Sequence, residues 1–215
     1  MQDFLTAYNE FFTRFDAFMT RYYSSGIAAP AQKLSEIVAE HPLNDPAERE
    51  TNLFLWIVKA ALRLPSPGRA GGACDAVLET VRSVGGILAD KNADYGNSAR
   101  DPSPFFGGAL SSADCILVRI GDKIARADHL TGGSAPRVAG ESLDDTVRDF
   151  IGYAILLYIT LQIDGAPLHL DSGRDGDGSG RAALFVPRPM TYRELASLVN
   201  SGDFEVYLPA DVADE

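Results

Sequence analysis

Apolar residues recur at spacings of three and four along most of the first 165 positions, which predicts a chain built mainly of amphipathic helices. Phe4, Tyr8, Phe11, Phe15, Phe18 and Tyr22, with Leu5, Phe12 and Met19 beside them, form one aromatic stripe over about six turns, ending before Ser24-Ser25-Gly26. The stripe is expected to pack on the chain's own core. Its width also suits a helix that pairs with a second subunit, since large apolar patches are rare on monomers. A short second helix is expected over Ala31 to Glu40, stopped by His41-Pro42 and Asp45-Pro46.

The third helix should run from Ala47 to Leu64, with Leu53, Leu55, Trp56, Val58 and Leu62 on its apolar side. Pro65-Ser66-Pro67-Gly68 and Gly71-Gly72 break the chain. A fourth helix is expected from Asp75 to about Asp94, with a kink where Gly85-Gly86 weakens it. After a polar loop containing Pro102 and Pro104, Ser111 or Ser112 should cap a fifth helix that reaches about Leu130. The sixth helix starts at Glu141 and turns apolar on nearly every face between Phe150 and Leu161. A helix of that kind belongs at the centre of a fold.

The tail has a different character. Positions 171–180 are a glycine- and aspartate-rich linker, whose acidic spacing does not match a calcium loop. Beyond it, 182–186 and 204–208 read as short strands flanking a helix over 191–200. The expected organisation is an N-terminal helical region over 1–70, core helices over 71–165, and a linker with a small appendage over 166–215. The fold class is mainly α, a helical bundle with a small mixed α/β C-terminal appendage.

Charge and cysteine content narrow the function classes. The chain has 215 residues, with 19 basic and 30 acidic side chains and a formal charge of −11. Such a surface does not hold a nucleic-acid backbone by bulk electrostatics, so no direct nucleic-acid partner is expected. Cys74 and Cys115 are isolated and form neither a zinc pattern nor a disulfide framework. The N-terminus lacks a basic region, and the apolar run around Ile151 to Ile163 reads as a buried helix rather than a membrane span. A cytoplasmic protein with no membrane partner is therefore expected. No GxxxxGK[ST] phosphate loop is present, and His41, His129 and His169 have no evident nucleophile beside them.

Three charged helices carry the candidate chemistry. Glu141, Asp145 and Asp149 stand at i, i+4 and i+8 of the sixth helix and share a face. The first two suit the positive end of a helix. Asp149 leads straight into apolar sequence, where a carboxylate must be paired or must bind a cation. Oxygen ligands without cysteine or histidine point to magnesium or manganese. Arg119, Lys123 and Arg126 form a basic stripe on the fifth helix, which is either a solvated face, a neutraliser of the acidic sixth helix, or a phosphate contact. The fourth helix ends in Asp90-Lys91-Asn92-Ala93-Asp94-Tyr95-Gly96-Asn97, in which Tyr95 and Asn97 suit a nucleoside or a simple helix end.

The blocks 91–96, 116–126 and 141–154 resemble the phage and bacterial nucleotide-modification-associated helical domain. That domain is similar in turn to the all-α MazG-like nucleoside triphosphate pyrophosphohydrolases. The resemblance covers roughly Asp75 to Leu161. It implies a helical bundle, a homo-oligomer of two or more chains, and Mg2+ (or Mn2+) held by acidic residues of two helices. It further implies cleavage of a (deoxy)nucleoside triphosphate to monophosphate and pyrophosphate. Asp145 and Asp149, the acidic pair before Tyr153, would be catalytic. Candidate metal ligands are Asp94, Glu141, Asp145 and Asp149; candidate phosphate contacts are Lys91, Arg119, Lys123 and Arg126. The glutamate-rich first motif of that group is absent from the fourth helix. That absence favours the alternative, a non-catalytic nucleotide-binding or sensing module; an oligomeric helical scaffold is the third reading.

Overall fold

The computed structural model describes residues 3–24, 33–65, 72–95, 110–132, 142–166 and 168. The tail's expected linker, strands and helix lie outside the described residues. Within them the regular elements are all helical, as the periodicity predicts: α1 (Phe4–Ser24), α2 (Leu34–Glu40), α3 (Arg49–Ala61), α4 (Ala73–Tyr95), α5 (Ser112–Thr131) and α6 (Leu143–Tyr158). α6 runs on into a π-helical turn, Ile159–Ile163. Gly165, at φ 68°, follows this turn in the left-handed conformation that only glycine adopts without strain.

α6 is the centre of the bundle. Phe150, Ile151, Ala154, Ile155, Leu157 and Tyr158 are wholly enclosed, and α6 packs most extensively against α5 and α3 and also against α4. The stretch Leu143–Ile163, 21 residues, is long and apolar enough to cross a membrane, yet 72% of its most apolar window is buried inside the fold. That burial is what a core helix shows.

The aromatic stripe of α1 closes the same core. Phe11 and Phe15 stack on one another at 5.6 Å and meet Phe54 edge-on. Phe54 in turn stacks on Tyr158 at 5.0 Å. The centre of the stripe is therefore covered within the chain, while Leu5 at its edge stays exposed. The helices before and after position 70 share one hydrophobic cluster. The hydroxyl of fully buried Tyr158 donates to Glu50 Oε1 at 2.7 Å, and Arg14 lies 3.6 Å from that carboxylate. One polar chain thus links α1, α3 and α6. Burial, and then the Glu50 carboxylate, pushes the Tyr158 hydroxyl pKa upward.

α3 buries more of its circumference than its sequence pattern suggested. Phe54 and Ile57 are buried, whereas Leu55 and Leu62 are only partly so. The reason is that α2, α4 and α6 all pack on it. Its outer edge holds the α2–α3 connection: Trp56 Nε1, Asn52 Nδ2 and Arg49 Nε donate to the carbonyls of His41, Pro42 and Leu43 at 2.8, 2.7 and 2.7 Å. Those three donors sit at i+7, i+3 and i of one helix face, so a proline-containing turn without its own ladder is satisfied from the side. Beside it, nearly buried Lys59 binds Glu40 at 2.6 Å. His41 Nε2 is buried there without a hydrogen-bond partner, and burial followed by the Lys59 charge lowers the imidazole pKa, against a smaller opposing pull from Glu40.

α4 runs without interruption from Ala73 to Tyr95, through Gly85-Gly86. Gly85 receives the Tyr8 ring, into which a Cβ at that position would project. The Tyr8 hydroxyl donates to Val81 O at 2.9 Å, and burial pushes its pKa up to about 12. Gly86 faces open space.

Two stability outcomes follow from these contacts. Gly85→Ala should cost about 1–3 kcal/mol by overpacking against Tyr8, while Gly86→Ala should stabilise by about 0.5–1 kcal/mol through helix propensity. Urea denaturation of both variants measures the contrast; equal effects would remove Tyr8 as the cause. For His41 the folded pKa lies below the ordinary 6.5. The unfolded chain therefore takes up the proton first, so stability is full above about pH 6.5 and falls as the pH drops through the lowered folded value. His41→Leu should flatten that fall in denaturation midpoints measured between pH 7.5 and 5.

Candidate functional site

The three charged helices do meet. α5 packs against α6 more extensively than any other pair, and α4 also touches α6. On α5, Ile116, Ile120 and Ile124 are buried, which turns the adjacent Lys123 toward the α6 seam. The Lys123 ammonium donates to Asp149 Oδ2 at 2.8 Å. From the end of α4, Lys91 Nζ lies 3.7 Å from Asp149 Oδ1. One carboxylate on α6 therefore faces two ammonium groups from two other helices, one at each oxygen.

The two lysines are not equivalent. The Lys123 side chain is 25% exposed, that of Lys91 58% and that of Asp149 38%. Lys123 is the fixed partner, partly desolvated and at short range. Lys91 is the outer one, at a distance where a solvated ammonium moves with little loss. Asp149 is thus a carboxylate paired with two cations of the protein itself.

Asp145, one turn earlier on the same face, has a different local role. It occupies the third position of α6 in a capping box. Its Oδ2 accepts from the Ser142 hydroxyl at 2.7 Å and the Ser142 amide at 3.0 Å, while the Asp145 amide donates back to Ser142 Oγ at 3.1 Å. Those two Ser142 bonds lower its carboxyl pKa, and Arg148 and Arg126 add to the shift. The signal was legible as Ser142-x-x-Asp145, the capping-box spacing, and the same device opens α5 at Ser111 and Asp114. Among the described residues, the hydrogen bonds of the Asp145 carboxylate all fall on Oδ2.

The basic stripe of α5 thus runs alongside the acidic face of α6, with Lys123 on Asp149 and Arg126 close enough to act on Asp145. Arg119 is exposed on α5, and Asp94 is exposed near the end of α4. Tyr95 closes α4. Glu141 and Asn97 lie outside the described residues. Among the described residues no three aspartate, glutamate, histidine or cysteine side chains come together as a metal-holding group. What the junction does offer is a pair of converging ammonium groups with a partly exposed carboxylate between them, in a protein of net charge −11.

The chain matches no family model, no curated protein and no solved structure.

The inequivalence of the lysines is measurable in stability alone. Lys123→Met should lower the unfolding free energy by about 0.5–1 kcal/mol and Lys91→Met by less than about 0.5 kcal/mol at low salt. Both losses should shrink as salt rises, because the pairs are partly exposed. Equal losses in urea titrations at 20 and 500 mM NaCl would mean that the two contacts carry the same weight.

Proposed function

We propose that this chain is a nucleotide-binding helical bundle that receives the phosphates of a (deoxy)nucleoside triphosphate at the Lys91–Asp149–Lys123 junction. In the fuller form of the reading it acts as a Mg2+-dependent pyrophosphohydrolase of the MazG-like kind. The observation that carries it is the convergence of Lys91 and Lys123, from α4 and α5, on one carboxylate of α6. Charge-assisted contacts from two directions suit a phosphate better than a solvated face. The resemblance of blocks 91–96, 116–126 and 141–154 to nucleotide-acting helical domains supports the same ligand class.

Mg2+ binds with one or two carboxylates when substrate phosphates complete its shell. Asp145, through Oδ1, and Asp149 share one face of α6 and would fit that role once phosphates draw the lysines away; Glu141 and Asp94 are the further candidates. The metal would lower the pKa of an attacking water and offset charge on the phosphates. Lys123 and Lys91 would hold phosphate oxygens, with Arg119 and Arg126 further along α5 for the outer groups. Tyr95 and Asn97 would contact the nucleoside.

A second reading, a nucleotide-binding or sensing module without turnover, is favoured by the engagement of both carboxylates: Asp145 in its cap and Asp149 between two lysines. A panel of ribo- and deoxynucleoside triphosphates with Mg2+ or Mn2+, assayed for bound ligand and for released pyrophosphate, separates the two. The enzyme releases pyrophosphate and loses turnover in Asp149→Asn. The sensor binds and releases none. In either case Lys123→Ala should weaken triphosphate binding about ten- to a hundredfold, with a smaller loss for a monophosphate. Unaltered affinity for both would reduce the junction to a solvated face.

A further inference from the structure

Resting on the phosphate-binding reading of the α4–α5–α6 junction, we infer that Asp149 is a built-in competitor for the ligand: its carboxylate occupies, between Lys91 and Lys123, the place that a polyphosphate takes when it binds. A carboxylate and a phosphoryl group each present paired anionic oxygens to ammonium donors. Here Oδ2 engages Lys123 at 2.8 Å and Oδ1 faces Lys91 at 3.7 Å, one cation per oxygen. The arrangement offsets one of the two lysine charges when the site holds no ligand.

The competitor carries a single charge, and this sets the ligand class. A monoanion gains no more from the two ammonium groups than Asp149 already does, and it must also approach a fixed like charge. A polyanion with adjacent phosphates offers each lysine a stronger partner and can displace the carboxylate. The junction therefore discriminates for pyrophosphate-containing ligands over orthophosphate or carboxylates. The geometry also orders the exchange: exposed Lys91, at the longer distance, turns to the incoming anion first, and the less exposed Lys123 follows.

The consequence has a sign opposite to that of a simple binding residue. Removing the Asp149 charge frees both lysines, so anion affinity should rise. The test is calorimetric titration of the full chain with inorganic pyrophosphate, in chelator and without divalent metal. Asp149→Asn should bind about three- to thirtyfold tighter than wild type, the gain expected from relieving two partly exposed ion pairs. Asp149→Glu, which keeps the charge, should show no such gain, and adding Lys123→Ala to Asp149→Asn should abolish it. Asp149 is 38% exposed, so the amide is compatible with the fold, and Asp149→Ser serves as a second neutral variant judged by circular dichroism. Unchanged or weaker pyrophosphate binding in the folded neutral variants overturns the inference. If they bind pyrophosphate tighter while nucleoside triphosphates bind neither protein, the inference stands and the nucleotide reading falls. If triphosphates bind wild type and neutralising Asp149 leaves pyrophosphate affinity unmoved, the nucleotide reading stands and the inference falls.

Discussion

A helix that is apolar on every face can exist in water only if other helices cover every face, and α6 imposes that demand on this chain. Tyr158 and Phe150 have no exposed surface, nor have Ile151, Ala154, Ile155 and Leu157 between and beside them. Truncating one large buried aromatic to alanine costs about 3–5 kcal/mol, a sizeable share of a domain's whole stability. α1 and α3 meet that demand with Phe11, Phe15 and Phe54, and α5 with its isoleucines. The aromatic width of α1 is thus explained by the helix it helps to enclose.

The polar groups follow from the same constraint. A core helix that must emerge into water at its N-terminal end carries its charges there, and two of its carboxylates have close partners. Ser142 holds Asp145, Lys123 and Lys91 hold Asp149, and at the other end Glu50 receives the Tyr158 hydroxyl. Compensation differs in kind along the helix. The Tyr158 hydroxyl is enclosed in the core and meets Glu50 at the edge of the fold. The Asp149 cluster is partly exposed, contributes little to stability, and is correspondingly free to exchange partners. The convergence of two ammonium groups on one carboxylate is why the α4–α5–α6 junction, rather than the polar link at Tyr158, is the candidate site.

The close approach of α1 to α4 shows how backbone and side chain share one task. Gly85 gives up helix propensity so that the Tyr8 ring can lie against the backbone and its hydroxyl can reach Val81 O. At Gly152 on α6 a Cβ would already lie 3.4 Å from Leu88, so the α4–α6 seam is also drawn close at a glycine. The α4–α6 contact also sets Lys91 near the face of α6 that bears Asp149.

The sequence by itself determined the helices and the central place of α6, because three- and four-residue periodicity and all-round apolarity are local signals. It also placed Asp149, Lys123 and Lys91 among the residues of interest, and it carried the Ser142-x-x-Asp145 capping box in plain spacing. Only tertiary structure decided what Gly85 is for, since a glycine written as a weak point in a helix becomes a contact once Tyr8 faces it. Likewise, the α1 stripe suits the chain's own core and also a second subunit, and only the tertiary structure brings Phe54 and Tyr158 against it. The partner of Asp149 was equally undetermined: a carboxylate at the edge of a core needs a positive charge, and no local pattern says whether it is a metal ion or a lysine. That lysine lies 26 residues away on α5, and its 2.8 Å bond exists only because the α5–α6 seam sets the register of the two helices.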